Sequence, residues 1–140
     1  MYCLAVLDEY LLAAYRRTTY RVFAPPLALR VNQHHPALDD FLRKHAARQW
    51  SFITAYHPGS VQASAQENDE AQQRLEHHLR VQGYAYYPGA GIGDTGDWPP
   101  EPSFLVVGMD PQAGLKLANT FGQLGILWGQ RGSVAQLLFT

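Results

Sequence analysis

SFLVVGMDPQAGLKLANTFG, residues 103–122, orders the rest of the chain around it. Ser103 to Met109 make a short, continuous apolar run, the composition of a strand covered on both faces and so of one in the middle of a sheet. Asp110 follows with an oxygen able to accept from the first free amides of a helix, and Pro111 with a ring already set to helical φ. Ala113, Leu117 and Phe121 then recur at four-residue spacing, and Gly122 ends the helix. A buried strand that feeds an amphipathic helix calls for a sheet with helices packed on it.

Downstream, Leu124 to Trp128 and Val134 to Phe139 read as two strands joined around Gly129 to Gly132. Upstream, residues 88–102 (PGAGIGDTGDWPPEP) read as one long irregular stretch after a short strand from Tyr84 to Tyr87. Before it, Ser64 and Glu67 stand at capping-box spacing. Ala71, Leu75 and Leu79 form the stripe of a helix that runs to about Gln82 and stops at Gly83. Trp50 to Tyr56 is aromatic and β-branched, a strand with Trp50, Phe52, Thr54 and Tyr56 on one face and Ser51, Ile53 and Ala55 on the other.

Pro36 opens a helix whose apolar face is Leu38, Phe41, Leu42 and His45. Thr18 to Phe23 and Leu27 to Val31 make a hairpin across Ala24-Pro25-Pro26, and a first helix is capped by Asp8 and runs to Tyr15. The order αββαβαββαββ predicts an α+β (mixed α/β) fold: a single mostly antiparallel or mixed sheet of about six to seven strands packed with about four helices. At 140 residues, with no internal repeat or linker, residues 1–140 are expected to form a single globular domain.

Apolar residues make up 46% and charged residues 16% of the chain, against roughly a quarter charged in an ordinary soluble domain, which argues against disorder. The 11 Lys and Arg are offset by 12 Asp and Glu, and no basic run exceeds two residues, so no nucleic-acid partner is expected. The lone Cys3 cannot close an intramolecular disulfide, which points to a reducing, cytoplasmic location. The opening MYCLAVLDEYLLAAY has no positive start and carries Asp8 and Glu9, unlike a signal peptide. Since no apolar run approaches the ~20 residues that span a bilayer, no membrane partner is expected.

Gly91-Ile92-Gly93-Asp94-Thr95-Gly96 spells G-x-G-x-x-G, but Asp97-Trp98-Pro99-Pro100 follows where a dinucleotide site needs a helix. The glycines are instead expected to take positive φ in a bent loop, with a loose phosphate nest as the alternative, and no cofactor is expected. The six histidines include no His-x-x-x-His pair, so no metal site is expected either. His57 stands where a strand leaves the sheet, a place where ligand-binding residues are often presented; its bland alternative is an exposed turn. Glu101, between two prolines before the apolar strand, is the candidate catalytic acid or base, set against a solvent-facing glutamate. Glu67 and Asn68 open a helix, where Glu67 also suits a capping box. Gln123 could bond a ligand or tie down its own loop.

Ile53-Thr54-Ala55-Tyr56-His57-Pro58, the Glu67-Asn68 helix start, Trp98 with Glu101-Pro102-Ser103-Phe104, and Phe121-Gly122-Gln123 with Ile126-Leu127-Trp128 together resemble the bacterial domain-of-unknown-function 3293 family. The likeness runs over residues 18 to about 130, and the resemblance implies a turn that more often reads Asn-Pro where this chain has His57-Pro58. It implies a small bacterial cytoplasmic domain with no assigned role. The expected site is a pocket at the strand ends for a small polar or phosphorylated metabolite. Thr54, His57, Glu67, Asn68 and Gln123 would supply polar contacts, Trp98 would stack, and Glu101 would serve as acid or base. The alternative is a protein-interaction or homodimerisation module without catalysis, suited by the low charge and by the 8 Tyr and 3 Trp.

Overall fold

The computed structural model describes residues 9–95 and 99–140, with Ser60 described by its backbone alone. Asp8, Cys3, Gly96 and Trp98, which carry expectations above, lie outside the described residues. Four helices are described: α1 (Glu9–Arg17), α2 (Pro36–Lys44), α3 (Ala65–Val81) and α4 (Pro111–Thr120). Seven strands, β1 (Thr19–Val22), β2 (Leu27–Leu29), β3 (Gln49–Ile53), β4 (Ala85–Ile92), β5 (Glu101–Val107), β6 (Gly125–Gln130) and β7 (Gln136–Phe139), form one sheet in the order β2-β1-β4-β5-β3-β6-β7. Every pairing is antiparallel, which makes this an α+β fold with the element order read from the sequence.

The apolar run ending at Val107 lies fourth of seven, as a strand buried on both faces should. Its side chains alternate between two cores. On one face Leu105 and Val107 pack with Trp50, Phe52 and Leu127 under Leu38 and Leu42 of α2. On the other, Phe104 and Val106 pack with Ile53 and Ile126 under Leu75 and Leu79 of α3 and Leu117 of α4. Burying one such leucine is worth about 1.5–3 kcal/mol, so both layers are held mainly by apolar area removed from water.

The helix starts obey their local chemistry. Asp110 accepts from the Ala113 amide at 2.8 Å. Ser64 and Glu67 form a reciprocal capping box, each side chain accepting from the other residue's amide.

Two local expectations are corrected. β3 stops at Ile53, short of Tyr56, because the Thr54 hydroxyl donates to the Pro102 carbonyl at 2.7 Å and accepts the Tyr56 amide, turning the chain there. The stretch 88–102 is not one irregular loop. β4 continues through Pro88, Gly89 and Gly91 to Ile92, and β5 already begins at Glu101, so only 93–100 lies between the strands. The register Gly89↔Ser103, Ala90↔Pro102, Gly91↔Glu101 on one side, and Val22↔Gly89 on the other, overrides the weak strand propensity of Gly and Pro. Gly89 is required: a Cβ there would fall 2.1 Å from the Arg21 carbonyl oxygen.

Candidate functional site

Between β3 and α3 the chain carries residues 54–64 across one end of the sheet, and three side-chain amides clasp it. Asn68 accepts the His57 amide at 2.9 Å and donates to the Ala63 carbonyl. Gln72 accepts the Ala55 amide at 2.9 Å. Gln123, just past α4, donates to the Tyr56 carbonyl at 2.9 Å. Such bonds satisfy main-chain groups that the turn takes away from the ladder.

His57 sits at φ 48°, ψ 65°, before a 3-10 turn over Pro58–Ser60, and its side chain is buried. Its Nδ1 receives the Ala63 amide at 3.1 Å. Nδ1 is therefore an acceptor, and the neutral ring carries its proton on Nε2. The turn is closed from beyond α4, where the Gly122 carbonyl accepts the Gly59 amide at 2.7 Å. Gly122 has φ 69°, and a Cβ on it would press to 3.0 Å from Pro58.

Beside this loop, on the face of the sheet that carries Phe52, lies a cavity of about 360 Å³. Its floor is bare where Gly91 and Gly125 stand on inward positions of β4 and β6. Neither Gly91 nor Gly93 has positive φ, so the bent-loop expectation for these two is corrected: Gly91 belongs to a strand, and its missing side chain leaves space. Tyr20, Phe52, Leu127, Leu137 and Phe139 form the walls, and α1 covers the space with Leu11, Ala14 and Tyr15.

Aromatic rings meet in two pairs across these walls: Tyr20 with Phe52 at 5.5 Å between centroids, edge to face, and Tyr15 with Phe139 at 6.2 Å. The Tyr20 hydroxyl donates to the Tyr15 carbonyl, linking the strand wall to the helix. Polar groups gather toward the clasped loop: Thr54, His57, Glu101, Ser103 and Gln123. Burial, then the nearby Tyr15 and Glu101, holds the Tyr20 phenol above its ordinary pKa. Tyr56, also on the lining, is pushed up to about 12 by desolvation and by its 2.6 Å bond to Asp69.

Of the residues picked from the sequence, the fold brings Thr54, His57, Glu101 and Gln123 to this cavity. Glu67 and Asn68 do not line it. Glu67 is exposed and spent on the capping box, while Asn68 is buried behind His57 as a clamp. His57 is not an exposed turn residue, and Gln123 both ties its loop and faces the cavity. Glu101 is the first residue of β5, paired with Gly91. Among the described residues, no group of three or more His, Cys, Asp or Glu is placed to hold a metal ion, and no helix is long and apolar enough to cross a membrane.

The family model described as "Protein of unknown function (DUF3293)" matches residues 53–126, more than half of the chain, from the end of β3 through the clasped loop to β6. The chain belongs to this family. No curated protein and no solved structure matches it.

In this DUF3293 member, the matched span holds the polar side of the cavity, while much of its aromatic wall comes from outside it, from Tyr15, Tyr20 and Phe139. Those rings were not singled out from the sequence. Alternation along β1 and β7 puts Tyr20 and Phe139 on one face each, but which face is inner follows only from the pairings Tyr20↔Gly91 and Gly125↔Phe139. Gln72 was also missed. Its place on the buried stripe of α3 beside Ala71 and Leu75 is the signal, because a buried amide must find partners.

Proposed function

We propose that this DUF3293 protein binds a small organic molecule in the cavity between α1 and the sheet. The observation that carries the reading is the composition of that space: apolar and aromatic walls over a glycine floor, with a few polar groups converging from one end. Pockets for small molecules have this composition, the walls supplying burial and the polar groups fixing orientation. A volume of about 360 Å³ suits a ligand with a single ring or a short branched chain. Thr54, Ser103, His57 and Gln123 are its polar contacts, and Glu101 is the group best placed to accept a proton or a hydrogen bond. The near-balance of charge and the single cysteine favour work in the bacterial cytoplasm without nucleic acid or membrane.

Among the described residues, the exposed large apolar side chains Tyr10, Phe23, Val61, Val81 and Val134 are spread along the chain, so they do not favour a homodimer surface over the cavity. A thermal-shift screen of single-ring metabolites tests the reading, with Gly91→Val as the comparison. A Cβ at Gly91 meets Thr18 at 3.6 Å and Tyr20 at 4.0 Å, ordinary contact distances, so the strand accepts a side chain there, and valine's methyl groups are expected to extend into the cavity. A ligand at about 100 times its Kd should add about 2.7 kcal/mol to the parent. The valine variant should fold as well as the parent and lose that gain. A ligand that stabilises both proteins equally binds elsewhere and sinks the proposal.

A further inference from the structure

We infer that the cavity reads an uncharged amide, a carboxamide or lactam carried on a ring, through the side-chain amide of Gln123. This inference rests on the cavity being the binding site and adds the chemical group by which a ligand is recognised. Gln123 is a half-buried lining residue held from one side, since one of its Nε2 hydrogens goes to the Tyr56 carbonyl at 2.9 Å. A primary amide has two N–H donors and a carbonyl oxygen with two lone pairs. With Tyr56 served, one N–H and Oε1 remain for a ligand, a donor and an acceptor on a single fixed group.

The other lining groups complement that pair. Hydroxyls of five lining residues spend their hydrogens on the protein itself: Thr18 on the Ala14 carbonyl, Tyr20 on that of Tyr15, Thr54 on that of Pro102, Ser103 on that of Glu101, and Tyr56 on the Asp69 carboxylate. What such hydroxyls have left for a ligand is lone-pair capacity. N–H donors stand beside them, on Nε2 of His57 and as the second hydrogen of Gln123. A ligand that only donates or only accepts leaves half of the Gln123 amide unserved, and a polar group buried without a partner costs free energy. An amide offers both functions on adjacent atoms, N–H beside C=O, and brings no net charge to bury. Its planar π system also suits the aromatic wall of Tyr20 and Phe52.

Benzamide, acetophenone and α-methylstyrene share one ring and nearly one shape; the second lacks the N–H donors and the third lacks the carbonyl as well. Calorimetric titration of each into the protein tests the inference. Benzamide should bind roughly three- to tenfold tighter than acetophenone, the range of one net hydrogen bond. Gln123→Met, which keeps the length and removes the amide, should abolish that ratio. Loosening of the Tyr56 loop in this variant weakens both ligands alike and leaves the ratio unchanged, so the ratio separates reading from clamping. In the parent protein, benzamide should move the Gln123 side-chain amide signals in a nitrogen-15 correlation spectrum, so a poorly folded methionine variant does not leave the question open. Acetophenone binding as tightly as benzamide, a ratio that survives Gln123→Met, or unmoved Gln123 signals overturns the amide reading while the cavity stands as a site. Failure of all three to bind, α-methylstyrene included, overturns both.

Discussion

A histidine at φ 48° holds a backbone conformation that costs an L-residue roughly 1–2 kcal/mol and that Asn adopts more readily. The Asn-Pro that the family resemblance implies at His57-Pro58 therefore has a backbone reason as well as any chemical one. His57→Asn should be milder than His57→Val by about 1 kcal/mol or more in chemical denaturation, since β-branching is least tolerated at positive φ; equal losses would show that the ring's bonds, not the backbone, decide. Its neighbour Tyr56 gives a test against pH. Below the ordinary phenol pKa of 10 both folded and unfolded chains keep the proton; between 10 and about 12 the unfolded chain releases it and the folded one does not. Stability should thus fall as pH rises through that window, and Tyr56→Phe should lose less of it, the remainder belonging to phenols such as Tyr20 and Tyr86 that are also held up. Superimposable denaturation midpoints for parent and variant from pH 9 to 12 would count against the Asp69 bond.

Helix α3 begins on the pairing of Ser64 and Glu67, and Ser64→Ala should cost about 1 kcal/mol near neutral pH. The bonds from Ser64 hold the Glu67 carboxyl below its usual range. Its contribution is present above the unfolded carboxyl's pKa and is lost as pH falls through the lowered one, so the gap between Ser64→Ala and the parent should narrow in acid. A gap that is constant from neutral pH to pH 3 would mean the carboxylate adds nothing. This cap could be read from the sequence because it is made of residues three apart, and Asp110-Pro111 was legible for the same reason. The extent of β4 was not. Pro88, Gly89 and Gly91 argue locally against a strand, and their pairing depends on β1 and β5, whose edges face them only in three dimensions.

At the scale of the molecule, the order of elements followed from local pattern, but the insertion of β3 between β5 and β6 joins segments more than 50 residues apart and leaves no trace in periodicity. That insertion assembles the cavity, since it sets Phe52 and Thr54 beside Ser103, Glu101 and Leu127. Four of the polar residues chosen from sequence came together because turns and strand ends share one end of the sheet; the aromatic wall needed the pairing itself. Among the described residues, α1 has no fully buried side chain, whereas α3 and α4 each bury several. Regions with few buried contacts open at a small fraction of the global unfolding free energy. Amide hydrogens of α1 should therefore exchange with deuterium well before those of α3 and α4, and a bound ligand should slow α1 most. Entry and escape would then be timed by the detachment of one short helix, so that residence in the cavity reports the helix's breathing rate as much as the ligand's own grip.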